Sequence, residues 1–128
     1  MQSAPFTVLA VRDVAATAAF YEKIGFRPPS AEVAALLGEA AMVTLDQRTL
    51  FVLHEERDLR RQTPGMTGQP LGASCVFTIP VPDYDATAER VRDHAEVLDE
   101  QTTDGVFRTL TFRDPNGYLV AISGLTRA

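Results

Sequence analysis

The 128-residue chain predicts an α+β fold in which one strand–helix–strands unit is used twice, and three observations carry this. First, Val11-Arg12-Asp13-Val14-Ala15-Ala16-Thr17-Ala18 and Val81-Pro82-Asp83-Tyr84-Asp85-Ala86-Thr87-Ala88 share five of eight residues at an offset of 70. Self-similarity at a fixed offset marks a duplicated structural unit. Second, each copy follows a short apolar run, Phe6 to Val11 and Cys75 to Val81, rich in the β-branched and aromatic residues of strands. Third, each copy opens a stripe of apolar or small residues at helical spacing.

The elements follow in order. Asp13 and Asp83 sit where a helix N-cap belongs, each carboxylate placed to accept from first-turn backbone N–H groups. Behind Asp13 the stripe is Val14, Thr17, Ala18, Tyr21 and Ile24, with Gly25 as the stop; behind Asp83 it is Tyr84, Thr87, Ala88, Val91, Ala95 and Leu98. Strands are expected over Ala41 to Leu45 and Thr49 to Glu55 in the first half, joined by Asp46-Gln47-Arg48. In the second half they are expected over Val106 to Arg113 and Tyr118 to Ser123, joined by the turn Asp114-Pro115-Asn116-Gly117. Ser30 to Leu37 reads as a short extra helix ended by Gly38. The polar stretch Glu56 to Gly72, with Pro64, Gly65, Gly68 and Pro70, reads as a connecting segment. The expected organisation is one domain over residues 1–128, with modules at about 4–55 and 73–124 and a linker at about 56–72. Helices would cover one side of the sheets and leave a concave face on the other.

Composition narrows the function. Apolar residues make up 45% and charged residues 23%, the balance of a globular domain. Seventeen acids against twelve bases give a net charge of −5. That argues against nucleic acid, whose phosphates need a basic face. A cationic ligand is compatible with the charge, although acidity serves solubility first. One cysteine forms no internal disulfide and no thiolate zinc site, and two histidines make a dense metal-ligand set implausible. No apolar run reaches the ~20 residues of a membrane span, and no export signal opens the chain, so no membrane partner and a cytoplasmic location are expected.

The repeat, together with Phe20-Tyr21-Glu22-Lys23-Ile24-Gly25-Phe26 at the end of the first helix and Phe112-Arg113-Asp114-Pro115-Asn116-Gly117-Tyr118 near the chain's end, resembles the vicinal oxygen chelate superfamily. That superfamily holds glyoxalase I, extradiol dioxygenases, fosfomycin-resistance enzymes and bleomycin-resistance proteins. The opening Ala4-Pro5-Phe6-Thr7-Val8-Leu9-Ala10-Val11-Arg12-Asp13-Val14-Ala15 looks most like the bleomycin-resistance branch. The resemblance implies paired βαβββ modules whose sheets curl around a groove, helices outside, usually in a homodimer. In metal-dependent members a His or Gln on the first strand of a module and a Glu near the end of the last hold the ion. Those positions fall here on Phe6, Val76 and Ala121, with the first-half equivalent near Val52. None of the four side chains carries a donor atom, and a transition-metal site needs three or four. No metal and no other cofactor is expected.

By the same resemblance, alternation places Phe6, Val8, Leu50, Val52, His54, Val76, Thr78, Leu119, Ala121 and Ser123 on the groove side, with Phe107, Thr109 and Thr111 beside them. Val106, Leu110 and Phe112 then belong to the core. The result is an apolar surface with a few hydroxyls, suited to a small, partly aromatic organic ligand; a dimer interface is the alternative use of such a face. His54 is the candidate for acid–base chemistry, with Glu39, Glu55 or Glu56 as possible carboxylate partners, although adjacent strand residues point to opposite faces. His94 falls at a helix C-terminus, where an imidazolium suits the dipole. Cys75 has no basic neighbour in sequence to activate it. The alternating charges Glu55, Glu56, Arg57, Asp58, Arg60 and Arg61 read as a solvated stretch. Asp13, Asp83 and Asp114 are expected as caps and a turn residue, not catalysts.

Three readings follow. The first is a metal-independent protein of the bleomycin-resistance type that sequesters an unidentified drug-like or aromatic molecule. The absence of Trp removes the largest stacking side chain and argues against bleomycin itself, leaving Phe6, Phe107 and Tyr118 as partial substitutes. The alternatives are a glyoxalase- or dioxygenase-like lyase or isomerase with a divergent site, and a non-catalytic dimeric accessory module.

Overall fold

The computed structural model describes residues 7–38, 40–46, 48–66, 68, 70–71 and 76–125. Phe6, Glu39 and Cys75 lie outside them, so the expectations placed on those three residues do too. The chain divides into two compact units, one of residues 1–22 and 26–69, the other of residues 23–25 and 70–128. Each is a mixed α+β unit with its own mixed sheet, and neither sheet closes into a barrel.

In the first unit, β1 (Thr7–Val11) leads into α1 (Val14–Lys23), then α2 (Ala31–Leu37), β2 (Ala41–Leu45), β3 (Arg48–Glu55) and α3 (Glu56–Gln62). The sheet order is β1-β3-β2, with β1 parallel and β2 antiparallel to β3. Parallel pairing of β1 with β3 requires a crossover, which α1 supplies. Asp13 caps that helix as its position predicts, accepting from Ala16 N at 2.9 Å. Thr17 and Tyr21 turn inward, and the Tyr21 ring meets Phe51 of β3 at 5.6 Å and stacks on Phe26 at 5.9 Å. Leu9, Val11, Phe51, Leu53 and Val43 are buried on the same side.

Beyond β2 the chain pairs once more. Arg27 and Thr44 exchange backbone hydrogen bonds, each 2.9 Å, as an isolated antiparallel bridge. Pro28 and Pro29 follow; they lack N–H donors, so they cannot extend a ladder. The outer strand of this sheet is therefore cut to one residue, and α2 takes up the chain that follows, ended by Gly38 as expected and capped by Ser30, which the sequence pattern places inside the helix.

In the second unit, β4 (Val76–Pro80), α4 (Tyr84–His94), β5 (Glu96–Thr103), β6 (Phe107–Arg113) and β7 (Leu119–Leu125) complete a βαβββ module with sheet order β4-β7-β6-β5. Asp83 caps α4 through Ala86 N at 3.1 Å. Tyr84, Thr87, Ala88 and Val91 bury the i, i+3, i+4, i+7 face of α4. They pack against a sheet whose Ile79, Leu110, Phe112, Val120 and Ile122 are all buried.

Three expectations are corrected here. The second helical stripe does not run to Leu98: α4 ends at His94, Ala95 is extended, and Leu98 sits at a register shift within β5. Every residue of β5 is exposed, so this strand carries no alternation of apolar and polar residues to betray it. Val106 is not core; it is 54% exposed in the turn before β6. The stretch from Glu56 is not all connection, because α3 covers Glu56–Gln62 and a 3-10 turn covers Pro64–Met66. Glu55 starts that helix, its carboxylate accepting from Arg57 N at 2.7 Å and Asp58 N at 3.1 Å. Leu59 is the one buried residue of α3, and a single apolar position is too little pattern to announce a helix.

Candidate functional site

Register decides which side chains share a face, because directly paired strand residues project to the same side. In the second unit, Thr78 pairs with Ala121, Ala121 with Thr111 and Thr111 with Asp99, giving a row across all four strands. The next row is Pro80, Ser123, Thr109 and Gln101, and beyond it Leu125, Phe107 and Thr103. On the other side of the first row lie Val76, Leu119, Arg113 and Glu96. The candidates Val76, Thr78, Leu119, Ala121, Thr109, Thr111 and Phe107 thus lie on one continuous face, opposite α4.

Burial across that face is graded. Val76 is 52% and Phe107 43% exposed, Thr78 is exposed, Leu119, Thr109 and Thr111 are half-buried, and Ala121 and Ser123 are buried. The small residues form a floor between larger, more accessible ones. Asp99 and Gln101 complete the floor's polar margin, with Gln101 Nε2 donating to Asp99 Oδ2 at 2.7 Å. Sequence reasoning missed both because it extended the helical stripe to Leu98 and assigned no strand before Val106. One signal was available: Asp104-Gly105, both at positive φ (54° and 73°), closes the β5–β6 hairpin, and Asp-Gly between extended segments favours such a turn.

In the first unit, Val8 pairs with Val52 and Ala10 with His54 on β1 and β3. Val8 is 39% exposed, whereas Val52 is buried and Leu50 and His54 are half-buried. A register shift between Val43 and Thr44 leaves Leu50 unpaired with β2. His54 lines a cavity of about 140 Å³ with Asp58 and Gln62 from α3 and Leu37 and Ala40 beside α2. Glu55 lines the same cavity, and its Oε2 accepts from Arg57 N and Asp58 N at the start of α3. His94 is exposed at the end of α4.

Asp114 is engaged by the backbone: its Oδ1 accepts from Asn116 N at 2.8 Å and Tyr118 N at 2.9 Å, and Gly117 supplies a φ of 90°. The charges following Glu55 form surface pairs on α3, Arg61 with Asp58 at 2.9 Å and Arg60 with Glu56 at 3.6 Å. Opposite the candidate face, Glu100 Oε1 accepts from Arg92 at 2.5 Å, Arg108 at 2.6 Å and the Tyr84 hydroxyl at 3.3 Å. The Arg108 guanidinium also lies 4.8 Å from the Tyr84 ring centre. Burial pushes the Tyr84 phenol above its ordinary pKa of 10.0, and the Glu100 carboxylate adds to the shift while Arg108 opposes it.

Metal binding can be tested against these side chains. Val76 and Ala121 stand at two of the positions where relatives carry ligands, on neighbouring strands of one face, and offer only carbon. Among the described residues, no three of His, Cys, Asp and Glu gather where they could hold an ion. The residues at these positions do not fit a divalent cation.

Comparison with known proteins places the fold. Residues 4–122 match the model of the Glyoxalase/Bleomycin resistance protein/Dioxygenase superfamily, and the chain belongs to that superfamily. Among solved structures it is similar to a glyoxalase/bleomycin resistance protein/dioxygenase family enzyme from Burkholderia phytofirmans PsJN, at TM-score 0.74 and 13% identity over 94% of this chain and 97% of the other. It is similar to a glyoxalase/bleomycin resistance protein from Streptomyces sp. CB03234, at TM-score 0.68 and 20% identity over 95% and 100%. A lactoylglutathione lyase from Agrobacterium tumefaciens gives TM-score 0.67 and 18% identity over 96% and 94%. No curated protein matches the chain. Within the described residues, no helix is long and apolar enough to cross a membrane.

Proposed function

We propose that this protein binds a small organic molecule without a metal ion and sequesters it, in the manner of bleomycin-resistance proteins, on the sheet face opposite α4. The observation that carries this reading is the composition of that face. At positions where metal-dependent relatives carry donors it has Val76 and Ala121, with hydroxyls from Thr78, Thr109, Thr111 and Ser123 around them. Such a surface holds an aromatic or drug-like ligand by apolar contact and orients it with a few hydrogen bonds. Asp99 and Gln101 at the margin favour a ligand that carries N–H or O–H donors. The active species on this reading is a homodimer with no nucleic-acid partner.

The test is a thermal-shift screen of chelator-stripped protein against divalent cations, antibiotics and aromatic metabolites. A ligand at 100 times its Kd adds about 2.7 kcal/mol, a shift of several degrees in a domain of this size. The expected result is stabilisation by an organic compound, lost in Thr78→Arg, with none from metals. Stabilisation by a transition metal overturns the reading, and so does a drug shift that Thr78→Arg leaves intact. One observation favours a second reading, a lyase or isomerase with a divergent site: His54 shares its cavity with Asp58 and Gln62. Turnover that His54→Ala leaves unchanged would end it.

A further inference from the structure

Strand β7 alternates strictly between two environments. Ile122 is buried in the core and Gly124 abuts Tyr84 of α4, so Ala121, Ser123 and Leu125 project to the opposite face. Ser123 is only 3% exposed there, although Leu125 two residues on is 70% exposed. The half-buried Thr109 of β6 lies directly across the ladder from Ser123. Opposed serine and threonine side chains can hydrogen-bond each other. These two do not, and among the described residues neither hydroxyl has another partner.

Burying an unused hydroxyl is unfavourable. The buried Thr17 shows the ordinary solution, its hydroxyl donating to Asp13 O at 2.8 Å. No enclosed side-chain oxygen among the described residues goes unpartnered, so the Ser123 oxygen keeps a narrow opening onto the face. Its surroundings limit what reaches it. The next row along the strands is Phe107 and Leu125, both exposed, an apolar surface about 7 Å away that one phenyl ring spans. No cation belongs to the Ser123 row, and Asp99 stands one row away. Arg113, two rows away, is held by Glu96 at 3.7 Å and by Gly117 O at 3.3 Å. A carboxylate placed at Ser123 therefore finds no counter-charge.

We propose that Ser123 and Thr109 form the polar anchor of the ligand site and select an uncharged carboxamide joined to an aromatic ring; this rests on the reading that the face opposite α4 binds a small organic molecule. The Ser123 hydroxyl donates to the amide carbonyl oxygen, the amide N–H donates to Thr109 Oγ1, and the ring lies on Phe107. Opposed side chains about 5 Å apart at Cβ suit the adjacent carbonyl and N–H of a primary amide.

The experiment titrates the full chain with benzamide, toluene and benzoate and follows backbone amide shifts by NMR. Benzamide is expected to give saturable shifts at Phe107, Thr109 and Ser123, and to bind about fivefold more tightly than toluene, the worth of one net hydrogen bond. Benzoate should bind more weakly than either. Ser123→Ala should abolish the preference for benzamide while leaving toluene affinity unchanged. Its urea midpoint should not fall, since no protein partner is lost. Benzamide and toluene binding equally at these residues, or Ser123→Ala keeping the parent's preference, overturns the anchor and leaves the ligand face standing. Benzoate binding as tightly as benzamide overturns the uncharged assignment, and a lower urea midpoint in Ser123→Ala overturns the unpartnered hydroxyl. Absence of saturable shifts at these residues also overturns the anchor; the face itself falls only if the thermal-shift screen is empty too.

Discussion

Gly124 and Asp114 show how single residues are held by backbone geometry. A Cβ on Gly124 would stand 2.8 Å from Tyr84 Cβ, a contact between an inward-facing β7 residue and the first turn of α4. Neither atom lies at the end of a flexible side chain, so helix and strand must separate to relieve it. Gly124→Ala is expected to destabilise by about 1–3 kcal/mol in urea unfolding. At Asp114 the carboxylate takes two backbone N–H groups while itself only 4% exposed. Asp114→Ala would orphan both donors and should lose about 2–4 kcal/mol by the same measurement, each unsatisfied buried group costing ~1–3 kcal/mol. An unchanged midpoint in either variant would contradict the packing described here.

At the scale of elements, the α4–β5–β6 contact joins a helix to the exposed edge of its sheet. Glu100 lies on the helix side of β5, opposite Leu110, and gathers Arg92, Arg108 and Tyr84. Exposed ion pairs contribute little singly, and this network's value is in pinning an edge strand that has no buried residue of its own. Glu100→Ala should therefore loosen β5 selectively, with faster amide exchange along Glu96–Thr103 than along β7. Tyr84 makes the contact pH-dependent. Its folded pKa is raised, so its contribution is full below the unfolded value of 10.0 and is lost as pH climbs through the folded value. The parent should lose thermal stability across that alkaline range more steeply than Tyr84→Phe; parallel profiles would refute the assignment. The edge also resists pairing with other chains, since Glu96, Asp99 and Glu100 place acids along it.

For the whole molecule, one superfamily scaffold supports several chemistries, so function is argued from the face and not from the fold. The absence of donors at Val76 and Ala121 predicts that chelator treatment leaves the melting temperature unchanged, and calorimetry with zinc, nickel, manganese or iron should detect no stoichiometric site. One metal bound per chain would reverse that conclusion and promote the enzyme reading. The proposed homodimer is tested by light scattering, which should give about twice the 14.0 kDa chain mass; a mass of one chain would refute it.

What the sequence determined by itself is whatever depends on near neighbours along the chain. The caps at Asp13 and Asp83, the turn at Asp114 to Gly117, the stripe of α1 and the alternation of β3 and β7 are each set within a few residues, and the repeat at offset 70 exposed the duplicated plan. The shared face of Thr78, Ala121 and Thr111 followed from strand parity only together with the family resemblance, which says which parity faces the groove. Tertiary structure alone decided the rest. β5 forms because β6 offers an open edge, not because its own eight exposed residues favour a strand, so Asp99 and Gln101 reached the candidate face unannounced. The single Arg27 bridge, which ends the outer strand and leaves α2 beside β2, arises where Thr44, distant in sequence, supplies the partner groups. Local pattern records what a segment prefers; an edge, a bridge or a cavity is created by what lies on its far side.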